Sequence, residues 1–262
     1  SDLLLSFFLG LVQGLTEFLP ISSSAHLLLP SLIFGSNDLG LSFDIAVHAG
    51  TLVAVIYFFR TEIILMTKSI FTNDDRLIEH RKLATYLIIA TIPVIFAGLI
   101  FSNIIQERIF SISSIAISNL FFAVILLFAF LIRKSNKNLF QLTLYGALFI
   151  GIVQCFALIP GASRSGTAIT AALLIGMNLK DSSKFSFMLG IPTILGALVL
   201  LIIEIQTLDI TYNSMNLFIG FFVSMIFAFF TIKLFLDFVE KIGMIPFVTY
   251  RIFLAALLFL LI

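Results

Sequence analysis

Two apolar segments of this chain are each broken near the middle by proline and a knot of hydroxyls. The first, residues 3–34, carries QGLTEFLPISSSAH from Gln13 to His26, and the second, residues 139–177, carries PGASRSGT from Pro160 to Thr167. The arms beyond the breaks, Leu27–Phe34 and Ala168–Met177, would reach only about 12–15 Å as helices at 1.5 Å per residue. A bilayer's hydrocarbon core is about 30 Å thick, so neither arm crosses it alone. Non-helical backbone at that depth survives only where protein buries it or it lines a cavity. Both segments are therefore predicted to be re-entrant hairpins. The first arm, Leu3–Leu19, would be about 26 Å long, which leaves open whether segment 3–19 is re-entrant or spanning.

The surrounding sequence leaves no soluble alternative. Of the 262 residues, 60% are hydrophobic and 11% charged, against about 25% charged in soluble domains. Six further apolar runs approach the length of roughly 20 residues needed to span: Ser42–Phe59, Leu83–Phe101, Ile115–Ile132, Phe185–Ile203, Asn216–Leu236 and Ile245–Ile262. Lys and Arg crowd the connections at 60–82, 133–137, 180–184 and 233–241, whereas the alternate loops hold only Arg108. The positive-inside rule makes the first set cytoplasmic. The single cysteine, Cys155, excludes an intrachain disulfide.

The order is then hairpin, three spans, hairpin, three spans. Three is odd, so the second half must be inverted relative to the first. Phe8-Leu-Gly-Leu-Val-Gln13 matches Phe149-Ile-Gly-Ile-Val-Gln154, and a proline and a serine-rich turn follow in both. The predicted fold is an all-α polytopic membrane protein, one integral domain of two inverted-topology repeats (about 1–132 and 139–262). Each repeat is a re-entrant helical hairpin plus three transmembrane helices. Such repeats place their polar site near the midplane, where the two breaks face each other.

The breaks supply the chemistry. Gln13 and Glu17 share a helical face four residues apart, and an ionisable residue at that depth marks function by default. Ser22, Ser23 and Ser24 follow Pro20 where a helix restarts, and a helix start capped by serine is an anion site. His26 lies three residues after Ser23, so one face presents a hydroxyl beside an imidazole, the minimal activated nucleophile. In the second break Arg164 is a permanent cation whose fork matches phosphate oxygens. Ser163, Ser165, Gly166 and Thr167 frame it at the next helix start. Arg164 could instead pair with Glu17. Asp44, His48 and Thr51 open the first full span and are expected to stand behind the site. Arg251, two turns from the end of the last run, is expected to snorkel.

These two stretches resemble the undecaprenyl-diphosphate phosphatases of the bacitracin-resistance (BacA) type. That family's first motif appears as Gln13, Glu17, Pro20-Ile-Ser-Ser-Ser24, Ala25 and His26, and its second as Pro160–Gly166, with its threonine displaced so that either Thr167 or Thr170 could take that role. FDIAVHAGT (43–51), KFSFMLGIPT (184–193) and PFVTYR (246–251) look alike as well. The resemblance implies an integral membrane hydrolase that converts undecaprenyl diphosphate to the monophosphate and inorganic phosphate, recycling the lipid carrier for cell-wall synthesis. It implies catalytic roles for Glu17, Ser23, His26 and Arg164. Around the diphosphate it implies Gln13, Ser22, Ser24, Ser163, Ser165, Gly166 and Thr167. It further implies a divalent cation, Mg2+ or Ca2+, on Glu17. Gln13 stands where some members have glutamate. The expected partners are the polyprenyl diphosphate lipid and the bilayer, with a homodimer open and no nucleic acid. The expected location is the bacterial plasma membrane, with the site open to the external side. Whether serine or water attacks phosphorus stays open. The alternative function is a secondary transporter or lipid flippase built on the same repeats.

Overall fold

In lipid an apolar run satisfies its backbone hydrogen bonds within itself only as a helix, and helices are what these runs form. The computed structural model describes residues 2–35, 39–72, 74–101, 111–205 and 213–260. In chain order the helices are α1 (Asp2–Thr16), α2 (Ser23–Phe34), α3 (Gly40–Phe58), α4 (Arg60–Phe71), α5 (Ile78–Ile100) and α6 (Ile112–Ile132). They continue as α7 (Leu144–Gln154), α8 (Arg164–Leu174), α9 (Leu179–Ile205), α10 (Ser214–Ile242) and α11 (Ile245–Phe259). Among the described residues there is no strand beyond an isolated bridge between Lys137 and Met177. Among the described residues five helices, α3, α5, α6, α9 and α10, are long and apolar enough to cross a bilayer. The chain is an all-helical, multi-pass membrane protein.

The differences from expectation lie at the short helices. α1 (15 residues) stops at Thr16, before the Leu19 end of the predicted first arm. Of the last predicted span, Ile245–Ile262, residues to Leu260 are described, and the helix within it runs 15 residues, Ile245–Phe259. The inner arms start within the serine-rich breaks, α2 at Ser23 and α8 at Arg164, and the Ser163 hydroxyl caps α8. Within the basic stretch 60–82 the chain forms α4 before entering α5. Arg108 and most of the second predicted external loop lie outside the described residues.

Small residues set the packing. Lipid offers apolar helices no hydrophobic drive to associate, so close backbone approach and dispersion must hold them together. A Cβ on Gly10 of α1 would meet the Gly220 carbonyl of α10 at 3.0 Å, and one on Gly14 the Ser224 carbonyl at 2.7 Å. Gly50 of α3 lies as tightly on Phe221 of the same helix. Gly151, which occupies in FIGIVQ the place of Gly10 in FLGLVQ, presses α7 onto Ala90 of α5. Thus α1 and α3 pack on α10, while α7 and α9 pack on α5. Large apolar side chains such as Phe96, Phe121, Phe128 and Phe253 point outward, as a lipid-facing surface requires.

Candidate active site

Both breaks are built by the same backbone device. Pro20 has no N–H to continue α1 and restricts the residue before it, so the helix closes with Glu17 N–H donating to the Gln13 carbonyl (3.0 Å). Ser22, at φ 72°, then reverses the chain into α2. In the second break Gly161 (φ 96°) lies where a Cβ would strike the Ile115 carbonyl of α6 at 2.7 Å, and Ser163 takes φ 73°. The Ser163 hydroxyl caps α8 by accepting from Gly166 N–H at 3.1 Å. The hydroxyls pair in parallel, Ser22 with Ser24 at 3.2 Å and Ser163 with Ser165 at 3.3 Å.

The two turns bring together an acid, a hydroxyl and a guanidinium. Glu17 Oε1 accepts from Arg164 Nη2 at 3.0 Å. Its Oε2 accepts from Ser23 Oγ at 2.7 Å and from Gln13 Nε2 at 3.0 Å. Arg164 is fixed from behind: Nη1 donates to the Ser186 carbonyl at 3.1 Å, and the Phe18 ring lies 5.5 Å from the guanidinium carbon. The group lies flat on Gly190, where a Cβ would meet Nη1 at 2.6 Å. A cavity of about 210 Å³ opens over Glu17, Ser22, Ser23, Ser24, Ser163 and Arg164, with His48 and Thr193 at its polar edge. Its remaining wall, including Val94, Leu158, Ile194 and Leu198, is apolar. Two buried polar atoms in this cluster have no protein partner, the Gln13 Oε1 acceptor and the Arg164 Nε donor. Unpaired buried groups of this kind are rare in native folds and need an explanation.

The other residues singled out in the sequence lie elsewhere. His26 does not line the cavity. Its Nδ1 is 2.7 Å from the Ser22 carbonyl, which can only accept, so Nε2 is the nitrogen that takes the Tyr250 hydroxyl at 2.6 Å. Both ring nitrogens are thereby engaged away from Ser23. Ser165 Oγ donates to the Leu19 carbonyl at 2.9 Å, tying the second turn to the first. Thr167 bonds back to the Arg164 carbonyl, and Gly166 supplies the capped N–H. Gln13 sits behind Glu17.

Three residues assume places that the sequence did not assign them. His48 faces the site directly: its Nδ1 lies 2.7 Å from the Asp44 carbonyl, and Nε2 is 3.8 Å from Glu17 Oε2. Its i, i+4 spacing from Asp44 was the available signal. Arg251 does not snorkel. It is fully buried and bonds to carbonyls of both turns and to Asn119. Snorkelling failed as an expectation because enough polar backbone lies beside Arg251 to satisfy it in place. The polar pair Ser118-Asn119 in an otherwise apolar run was the available signal.

The family described as bacitracin resistance protein BacA matches residues 6–257. An undecaprenyl-diphosphatase of Saccharophagus degradans is 46% identical over 265 residues, covering 100% of this chain and 98% of its own. The undecaprenyl-diphosphatase of Alcanivorax borkumensis is 43% identical, covering 96% of each chain. That of Marinobacter nauticus is 40% identical, covering 98% of each.

Proposed function

The chain belongs to the BacA bacitracin-resistance family, and from that premise we infer that it is a membrane-embedded phosphatase hydrolysing undecaprenyl diphosphate to undecaprenyl phosphate and inorganic phosphate. One observation carries the reading: two separate breaks converge so that Glu17 holds both Ser23 and Arg164 at hydrogen-bond distance on a cavity wall. Phosphoryl transfer asks chiefly for positioning and charge neutralisation. Arg164 retains an unpaired Nε–H for a phosphate oxygen, and the starts of α2 and α8 add N-terminal dipoles of the favourable sign. The apolar wall suits the first isoprene units of a lipid tail.

The 2.7 Å bond from Ser23 to Glu17 supports attack by the serine oxygen on the terminal phosphorus, with its proton passing to Glu17 Oε2. The bridging P–O bond breaks, and its electron pair leaves on undecaprenyl phosphate. Water then cleaves the phosphoserine. The divalent cation suggested by the family fits a lean donor set. Among the described residues no cluster of three or more His, Cys, Asp or Glu exists, but Glu17 and the spare Gln13 Oε1 share one helix face. Mg2+ commonly takes one or two carboxylates plus substrate phosphates, so these two residues would hold it while it neutralises diphosphate charge.

The matching packing of α1 with α10 and of α7 with α5 supports two inverted repeats, about 1–132 and 139–262. The basic connections support a plasma-membrane topology with those loops cytoplasmic, and a cavity open to the external side follows from the family resemblance alone. The same architecture would suit a transporter or flippase, and hydrolysis in detergent separates the two because transport cannot occur there. The expected result is divalent-dependent phosphate release from undecaprenyl diphosphate by the detergent-solubilised protein. In rapid quench with substrate labelled in the terminal phosphate, the label should appear on Ser23. An unlabelled wild-type protein, together with full activity in Ser23→Ala, would remove the serine from the mechanism.

A further inference from the structure

α11 carries a charge that this chemistry does not consume. Arg251 lies within an apolar 15-residue helix, and all its partners are amide oxygens. Nε donates to Asn119 Oδ1 at 2.8 Å, Nη1 to the Pro20 carbonyl at 3.3 Å, and Nη2 to the carbonyls of Gly161 (2.7 Å) and Ala162 (3.2 Å). Asn119 Nδ2 donates back to the Arg251 carbonyl at 2.8 Å, so α6 and α11 clamp each other. Pro20 belongs to the first turn; Gly161 and Ala162 belong to the second. These carbonyls stand where each helix has been interrupted, and one rigid fork answers both sets.

Enclosing a permanent cation among neutral acceptors is expensive in a membrane, and a methionine or leucine would fill similar space without that cost. We propose that Arg251 is a positioning residue for the phosphoryl transfer described above, on which this inference rests: its guanidinium ties turn to turn and so fixes the gap between the Glu17–Ser23 group and Arg164. It is not among the residues lining the cavity, so it does not meet the diphosphate. The Glu17–Arg164 pair also bridges the turns, but that pair must loosen when a phosphate takes the Arg164 donors. Arg251 faces the other side of the turns and keeps them in register while the pair opens. Lysine cannot replace it, because one ammonium cannot reach three carbonyls and an amide in the geometry of the fork.

The test uses the full chain in detergent. Arg251→Lys and Arg251→Gln should lower kcat for phosphate release by about 30-fold or more, with KM within about threefold, as expected when reacting groups shift by an ångström or so. Asn119→Ala, which leaves the arginine in place, should lower kcat several-fold, and adding it to Arg251→Lys should cost little more. Amide exchange followed by mass spectrometry should quicken in residues 17–23 and 159–166 together in Arg251→Gln. Exchange that quickens only along α6 and α11, or a folded Arg251→Gln with wild-type kcat, overturns the proposal. Should the arginine variants fail to fold, an unchanged kcat in Asn119→Ala overturns it equally. A wild-type protein that releases no phosphate counts instead against the phosphatase reading, and the exchange pattern then decides the role of Arg251 by itself.

Discussion

The two turns are the same piece of backbone carrying opposite chemistry. Residues 141 apart correspond: Gln13 with Gln154, Ser22 with Ser163, Ser24 with Ser165. Both leading serines take φ near 72° and both pair with the serine two residues on. Between those serines the first turn has Ser23 where the second has Arg164, and Glu17 corresponds to Leu158. Shared geometry and divided chemistry teach that the reversal itself is the scaffold. A reversal with a strained serine costs about 1–2 kcal/mol wherever it occurs. Repeating it gives two helix starts that converge, and single substitutions on that frame then supply an acid and hydroxyl on one side and a cation on the other.

That division is broken most severely by exchanging its charges. Glu17→Gln and Arg164→Met should each reduce phosphate release by roughly 10³-fold or more, the scale of losing an arginine at a transferring phosphoryl group. Combined, they should lose little more than either alone, because each is useless without its partner. Each single variant also strands a buried charge, at a cost of roughly 3–5 kcal/mol. The exchange Glu17→Arg with Arg164→Glu should recover part of the lost melting temperature and none of the phosphate release. An exchange variant that hydrolyses substrate would show that the pair serves structure alone and that the two turns are chemically equivalent.

How far this was legible in the sequence follows from the same comparison. Breaks in otherwise apolar segments announce themselves, because proline and clustered hydroxyls cannot be explained by lipid. The convergence of Glu17, Ser23 and Arg164 was readable from two motifs and a parity argument about charged loops. Less legible are residues held in part by backbone atoms. His26 shares a helix face with Ser23, but its ring rests on the Ser22 carbonyl and the Tyr250 hydroxyl. Arg251 looked like an interfacial cation because its acceptors are carbonyls of residues 20, 161 and 162, which no side-chain pattern displays. The end of α1 at Thr16 was equally hidden, since an apolar run up to Leu19 gives no sign of where the last helical hydrogen bond closes.

A milder perturbation asks whether the second turn's cation needs its exact seat. The guanidinium of Arg164 lies on Gly190 of α9, close enough that a methyl group must displace it. The displaced group is the far end of a flexible side chain, so the fold should tolerate Gly190→Ala with a melting temperature within a few degrees of wild type. Activity should fall by about 10–100-fold, since a shift of an ångström near a reacting centre costs on that order. The matched control is Gly196→Ala, six residues on in the same helix, where the nearest atoms to an added Cβ are at 3.7 and 3.8 Å. Equal activities in the two variants would mean that Arg164 works without a fixed position.

The smallest effects sharpen the comparison at its root, the two leading serines. Ser163 holds its conformation with a cap, its hydroxyl accepting from Gly166 N–H, besides its contact with Ser165. The Ser22 hydroxyl pairs with Ser24 at 3.2 Å. Glycine relieves the positive φ in either place and gives up only a few tenths of a kcal/mol of capping. Ser22→Gly and Ser163→Gly should therefore both leave stability within about 1 kcal/mol, some 2–4 °C in melting temperature for a chain of this size. Alanine keeps the strain and loses the hydroxyl. Ser163→Ala should cost about 1 kcal/mol, the usual worth of a serine cap, and Ser22→Ala less than half of that. Thermal melts of the four variants in one detergent measure the difference directly. If the two alanine variants melt together, the hydroxyls contribute alike, and the asymmetry between the turns resides wholly in Glu17, Ser23 and Arg164.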